Sequence, residues 1–140
     1  MGHIFRFQGK ERVDVSEATV GDVVAVAKLR SSLIGDTLAS PGRVVALPPI
    51  QFPDPVHSVS VQPKTRKDQG KLGLALSKLI VGDPTLHYHI DPEFNETILS
   101  GMGEVHLELA AGRLLDRNGI EIIIGRPHVP YRETLTKKVK

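Results

Sequence analysis

The apolar positions of this chain change rhythm twice. Residues 3 to 8, His-Ile-Phe-Arg-Phe-Gln, alternate apolar with polar side chains and stop at Gly9-Lys10, which predicts a strand and a turn. Glu11 to Val15 alternates again. Gly21-Asp22 marks another turn, and Val23 to Ala27 is a short, nearly all-apolar run of the kind found in a buried strand. Gly35-Asp36-Thr37-Leu38 reads as a further turn into a brief strand. Residues 1–40 are therefore expected to be all β, in three or four short strands. So few strands make a marginal sheet unless something covers their apolar face. The segment reads as part of a larger barrel.

Prolines follow. Pro41, Pro48, Pro49, Pro53 and Pro55 fall close together, and each fixes φ and removes a backbone donor. Residues 41–54 are expected to form a stiff, extended connector and a domain boundary. A proline-rich edge strand of one continuous sheet is the alternative.

From residue 55 the period lengthens. Val56 to Val61 reads as a strand stopped by Pro63. Thr65 is a candidate N-cap with Asp68 three residues on. Leu72, Ala75, Leu76, Leu79 and Ile80 then recur at helical spacing until Gly82-Asp83-Pro84. Leu86 to Ile90 and Glu96 to Ser100 read as strands around a loop at Asp91 to Asn95. Gly101-Met102-Gly103, a turn attributed to glycine's access to positive φ, opens a second helix running to about Arg117. Leu107, Ala110, Ala111 and Leu114 line one face of it, and Asn118-Gly119 supplies the stop. Ile120 to Ile124 is a fourth strand. The order βαββαβ over residues 55–126 predicts an α+β, ferredoxin-like domain, four antiparallel strands with both helices on one face. Residues 127–140 are left as a tail or the start of a following domain.

Composition narrows the chemistry. The chain has no cysteine, so disulfides, thiolate metal sites and cysteine nucleophiles are excluded. No apolar run approaches the roughly 18–20 residues that cross a membrane, and Met1 to Arg6 lacks the apolar segment of a secretory signal. A cytoplasmic location is expected, although absence of cysteine suits any compartment. The sequence pI near 9.0 hints at a nucleic-acid partner. Residues 1–54 are charge-neutral, however, and residues 55–126 are slightly acidic. The basic excess sits in the tail, where Arg132, Lys137, Lys138 and Lys140 outnumber Glu133.

Lys64, Lys67, Lys71 and Lys78 are spaced so that, on a continuous helix, they fall within roughly 60° of one another and away from the Leu72 and Leu79 face. Such a stripe suits phosphate contact, and equally a plain solvated helix face. His87 and His89 share one strand face, but a metal site needs three or four ligands and only His106 stands near. Surface or partly buried histidines are the better reading, and no metal is expected. Glu104 and Glu108 suit the positive end of the second helix without any catalytic role. Gly101-Met102-Gly103 lacks the spacing of a phosphate-binding loop, and Thr65-Arg66-Lys67-Asp68 lacks the Asn-Lys pair of a guanine-reading motif. An acylphosphatase-like enzyme would share the fold, but Val61-Gln62-Pro63-Lys64 supplies no glycine-rich phosphate loop. No catalytic residue is expected.

Three segments carry a resemblance. Val59 to Leu86, with Gln62-Pro63-Lys64-Thr65 and Gly82-Asp83-Pro84-Thr85-Leu86, Ser100 to Leu109 (S-G-M-G-E-V-H-L-E-L) and Tyr131 to Thr134 are similar to domain III of the elongation factor G family of translational GTPases. Gly21-Asp22-Val23 and Gly35 to Leu38 resemble the last strands of that family's domain II barrel. Gln62 and Val105 depart from the family's usual Glu and Leu. No G-x-x-x-x-G-K-[ST], D-x-x-G or N-K-x-D occurs, so the GTPase domain is absent and the chain looks like a fragment without cofactors. GTP and magnesium would belong to the missing GTPase domain.

The resemblance implies a non-catalytic hinge that contacts the ribosome (small-subunit RNA and protein) and the factor's own GTPase and C-terminal domains, relaying GTP state during translocation. A monomer without membrane contact is expected. It also implies that Asp83, Thr85, His87, His106 and Arg113 form the wall of a fusidic-acid-type pocket facing the GTPase domain. Lys64, Lys67, Lys71 and Lys78 become candidates for ribosomal RNA contact. A ribosomal protection protein or another translational GTPase paralogue would share this domain. A free-standing RNA-binding module is the other alternative, and it would need exposed aromatics on the sheet, where Tyr88 is the sole candidate.

Overall fold

The structure of the chain, a computed structural model, describes residues 3–29 and 31–134. The basic tail residues Lys137, Lys138 and Lys140 lie outside the described residues. The chain divides into two units, which meet in sequence at Leu47 and Pro48.

The first unit holds strands β1 (Ile4–Gln8), β2 (Glu11–Val15) and β3 (Ala25–Val26), antiparallel in the order β2-β1-β3. Phe5 and Phe7 share a strand face, their rings edge-on at 5.3 Å, and the Arg12 guanidinium lies 4.2 Å from the Phe5 ring centre. No described residue of this unit is buried. Two expectations are corrected here. Val23 does not lie in a buried strand but is 91% exposed, and only Ala25 and Val26 pair. Of the turn into a brief strand expected at Gly35 to Leu38 only the turn forms, and in it the Asp36 carboxylate accepts the Leu33 N–H at 2.7 Å. An apolar run states a preference for burial, but a strand forms only where a neighbour takes its backbone groups. From residue 44 to residue 56 the backbone has no regular secondary structure, and the side chains are exposed apart from half-buried Pro55.

The second unit contains β4 (His57–Pro63), α1 (Gln69–Val81), β5 (His87–Asp91), β6 (Glu96–Gly101), α2 (Glu104–Asn118) and β7 (Ile122–Gly125). Its sheet is antiparallel in the order β5-β6-β4-β7, the ferredoxin-like arrangement. Register places Val59 opposite Leu99, Leu99 opposite Tyr88, and Val61 opposite Ile124. These residues face the helices, because alternate strand positions share a face. Leu72, Ala75, Leu76 and Leu79 of α1 meet them, with Leu107, Ala110 and Leu114 of α2. Burying each large aliphatic side chain stabilises by about 1.5–3 kcal/mol relative to leaving it exposed.

The element boundaries correct the sequence in three places. Thr65 does not cap an α-helix; its hydroxyl donates to the Asp68 carboxylate at 2.6 Å, and Arg66–Asp68 is a 3-10 turn before α1. The Gly101-Gly103 turn needs no positive φ. Gly103 is extended at φ 166°, a conformation open to any residue. Gly101 is needed for close approach, since a Cβ there would stand 2.8 Å from Leu107 Cδ2 and 3.1 Å from His106 Nδ1. The fourth strand begins at Ile122, not Ile120, which is buried between α2 and β7. At the end of α2 the expected stop is present: Gly119 takes φ 64° and its N–H bonds the Leu115 carbonyl at 2.8 Å.

The other sheet face carries Ser58, Ser60, His87, His89, Glu96, Ile98 and Ser100 by the same alternation. The chain leaving β7 crosses it. Ser60 Oγ donates to the Arg126 carbonyl at 3.4 Å, and the two Glu96 oxygens meet the His128 N–H at 3.2 Å and Nδ1 at 2.8 Å. Phe94 stacks on the His128 ring at 5.2 Å. Residues 126–128 thus lie across the sheet rather than running free of it.

Candidate interdomain site

Helix α1 ends at a tight turn, with the Asp83 N–H bonded to the Ile80 carbonyl at 3.0 Å. Pro84 prevents the helix continuing, and the Asp83 side chain turns back over the next residues. Its Oδ1 accepts the Thr85 hydroxyl at 2.7 Å and the Thr85 N–H at 3.2 Å. Its Oδ2 accepts His106 Nε2–H at 3.0 Å, with the Arg113 guanidinium 3.8 Å away. His106 and Arg113 lie two turns apart on one side of α2.

The His106 ring is held at both ends. Nδ1 accepts the Met102 N–H at 3.1 Å, which leaves Nε2 as the nitrogen that donates to Asp83. Partial burial alone would raise the Asp83 pKa. Hydrogen bonds from Thr85 and His106 outweigh it and hold the carboxyl below its ordinary value. Such an acid is a weak base near neutrality. Arg113 is about half-exposed, with its guanidinium beyond hydrogen-bond distance of Asp83, so it can donate to a carbonyl or anion from outside. The arrangement suits recognition rather than proton transfer.

The structure brings together Asp83, Thr85, His106 and Arg113. It does not bring His87 to them: Tyr88 packs against the core and its hydroxyl meets Ser77 at 2.9 Å, so His87 and His89 point to the opposite sheet face. Among the described residues, no group of three His, Asp or Glu side chains could hold a metal ion. The lysine stripe is also corrected. Only Lys71 and Lys78 lie on α1; Lys67 is in the 3-10 turn and Lys64 precedes it, so the helical angles relating all four do not apply. Lys64 pairs with Glu121 at 2.8 Å, and Lys71 stands 3.6 Å from Asp68. The sequence offered no sign of the Met102–His106 bond or of the Glu96–His128 pair, since both depend on which way a turn brings its backbone.

The pattern of these segments is matched by known proteins. The family model for Elongation Factor G, domain III, matches residues 52–126. The chain belongs to the elongation factor G family. It is 44% identical over all 140 residues to Elongation factor G of Ehrlichia canis (strain Jake), and 44% identical to that of Ehrlichia ruminantium (strain Welgevonden). Elongation factor G of Wolbachia pipientis subsp. Culex pipiens is 42% identical over the same length. In each case the chain spans 20% of the relative's length. A crystal structure from Thermus thermophilus superimposes with a TM-score of 0.75 at 36% identity, covering 93% of this chain and 20% of that one. Residues 52–126 are thus domain III of an elongation factor G-like protein, in a ferredoxin-like fold. No helix of the described residues is long and apolar enough to cross a membrane.

Proposed function

We propose that this chain is a non-catalytic interdomain and ribosome-contacting part of a cytoplasmic translational GTPase, relaying GTP state during ribosomal translocation. GTP and magnesium belong to a GTPase domain outside this sequence. The observation that carries the reading is the Asp83–Thr85–His106–Arg113 cluster. It ties the end of α1 to the face of α2 through one carboxylate. A partner pressing on either helix through this wall moves the other, because packed elements shift together rather than deform. We assign the same wall to the GTPase domain and to a fusidic-acid-type ligand. His87, on the opposite face, is left out of it. Among the described residues Lys67 and Lys78 make no ion pair, so either can meet ribosomal RNA without giving up a partner, whereas Lys64 first exchanges its exposed pair with Glu121.

A free-standing RNA-binding sheet is the weaker reading. Tyr88 faces the helices, and residues 126–128 cover part of the face that RNA would use.

Nuclear magnetic resonance tests the proposal. The isotope-labelled 140-residue chain is titrated with a separately purified elongation factor G GTPase domain loaded with a non-hydrolysable GTP analogue. Amide shifts centred on residues 83–85 and 102–113 are expected. Shifts confined to the His87 and His89 face, or GTP turnover by the chain alone, would contradict it.

A further inference from the structure

At the other end of α1 from Asp83 a cleft of about 520 Å³ opens between the first turns of the helix and the sheet. That volume lies within the range of small-molecule sites. Lys64 and Arg66 stand at its rim, Asn95 and Thr97 on the sheet side, and Tyr88, Leu72 and Ile90 supply apolar surface. No acidic residue lines it. Lys64 is engaged with Glu121, but both side chains are more than half exposed. An exposed pair of that kind contributes at most about 1 kcal/mol, so Lys64 can exchange it for an incoming anion.

Two glycines share the helical wall with Gln69 and Leu72. Gly70 and Gly73 lie within α1, where each weakens the helix by about 1 kcal/mol relative to alanine. Neither has a positive φ, and a Cβ at either would meet nothing within 4 Å. Packing within the chain therefore does not require them, and both border the cleft. The outward-facing Gly112 of α2 is equally unconstrained, and the cleft does not account for it.

We propose that this cleft binds a nucleotide-sized organic phosphate, with the phosphate on Lys64 and Arg66 and the planar body in the space left by Gly70 and Gly73 over Leu72 and Tyr88. The net positive rim selects an anion, the amides and hydroxyls of Asn95 and Thr97 offer hydrogen bonds to a heterocycle, and the missing side chains provide depth. A free nucleotide and a nucleotide of an RNA strand present the same chemistry. The site stands apart from the Asp83 cluster and does not depend on the interdomain reading.

The 140-residue chain is titrated with AMP, with a short oligoadenylate and with inorganic phosphate while amide shifts are followed. Saturable shifts at residues 64–73, 88 and 95–97 with a Kd of about 1 mM or tighter support the proposal. Tighter binding of AMP indicates a small-molecule site, and tighter binding of the oligonucleotide a strand site. Gly73→Leu fills the cleft and should abolish saturation while Tm holds or rises. Gly112→Leu makes the same change outside the cleft and should leave binding intact. Absence of saturation, equal shifts with inorganic phosphate, or undiminished binding by Gly73→Leu overturns it.

Discussion

The two units of this chain use similar apolar patterns and reach opposite results. Strands β1 and β2 alternate as regularly as β4, and the Val23 to Ala27 run is as apolar as Ile120 to Ile124. Yet no described side chain of the first unit is buried, while the second buries Leu76, Leu86, Leu99, Leu107, Leu114, Ile120 and Val61 almost completely. What separates them is a second layer. In residues 48–134 two amphipathic helices cover one sheet face, whereas among the described residues of the first unit no helix is present to do so. Periodicity sets which residues could be buried, and a facing layer decides whether they are.

The sharpest way to break this contrast is substitution on both sides of it. Leu107→Ala should lower unfolding free energy by about 2–5 kcal/mol in urea denaturation. Phe7→Ala, at a side chain 65% exposed, should change it by less than about 0.5 kcal/mol. Gly101→Ala comes next. Its Cβ would press on Leu107, His106 and Leu86, and overpacking of this kind costs about 1–3 kcal/mol.

The Asp83 cluster should respond less strongly. Asp83→Asn keeps the shape but weakens charge-assisted bonds from Thr85 and His106, a loss of about 1–2 kcal/mol. The same cluster predicts a pH dependence. Because the folded state holds the Asp83 pKa below its unfolded value, its contribution is present above the unfolded pKa and is lost as pH falls through the folded one. Acid titration of wild type against Asp83→Asn isolates that loss, and the variant should show the shallower decline. Smaller than the loss at Asp83 is the effect of Glu121→Gln, which removes the exposed partner of Lys64 and should shift stability by no more than about 1 kcal/mol.

Legibility in the sequence followed the range of the interactions. The βαββαβ order, both helices and the Gly119 stop were readable, because periods of 2 and 3.6 and a left-handed cap are local signals. Asp83, His106 and Arg113 were recognisable only through the family resemblance, since nothing in their spacing joins a carboxylate after α1 to two positions on α2. His87 failed on parity: one strand position away from Tyr88 puts it on the other face. Thr65 failed because a nearby carboxylate took its hydroxyl before the backbone could. The Glu96–His128 pair was invisible, as it joins residues 32 apart across a sheet face.

Native-state hydrogen exchange of the 140-residue chain tests the contrast most directly. Amides of Val59, Val61, Leu99 and Leu107 should exchange only through global unfolding, and those of residues 4–15 through far smaller openings. Equal protection in the two units would contradict the claim that a covered core exists in only one of them.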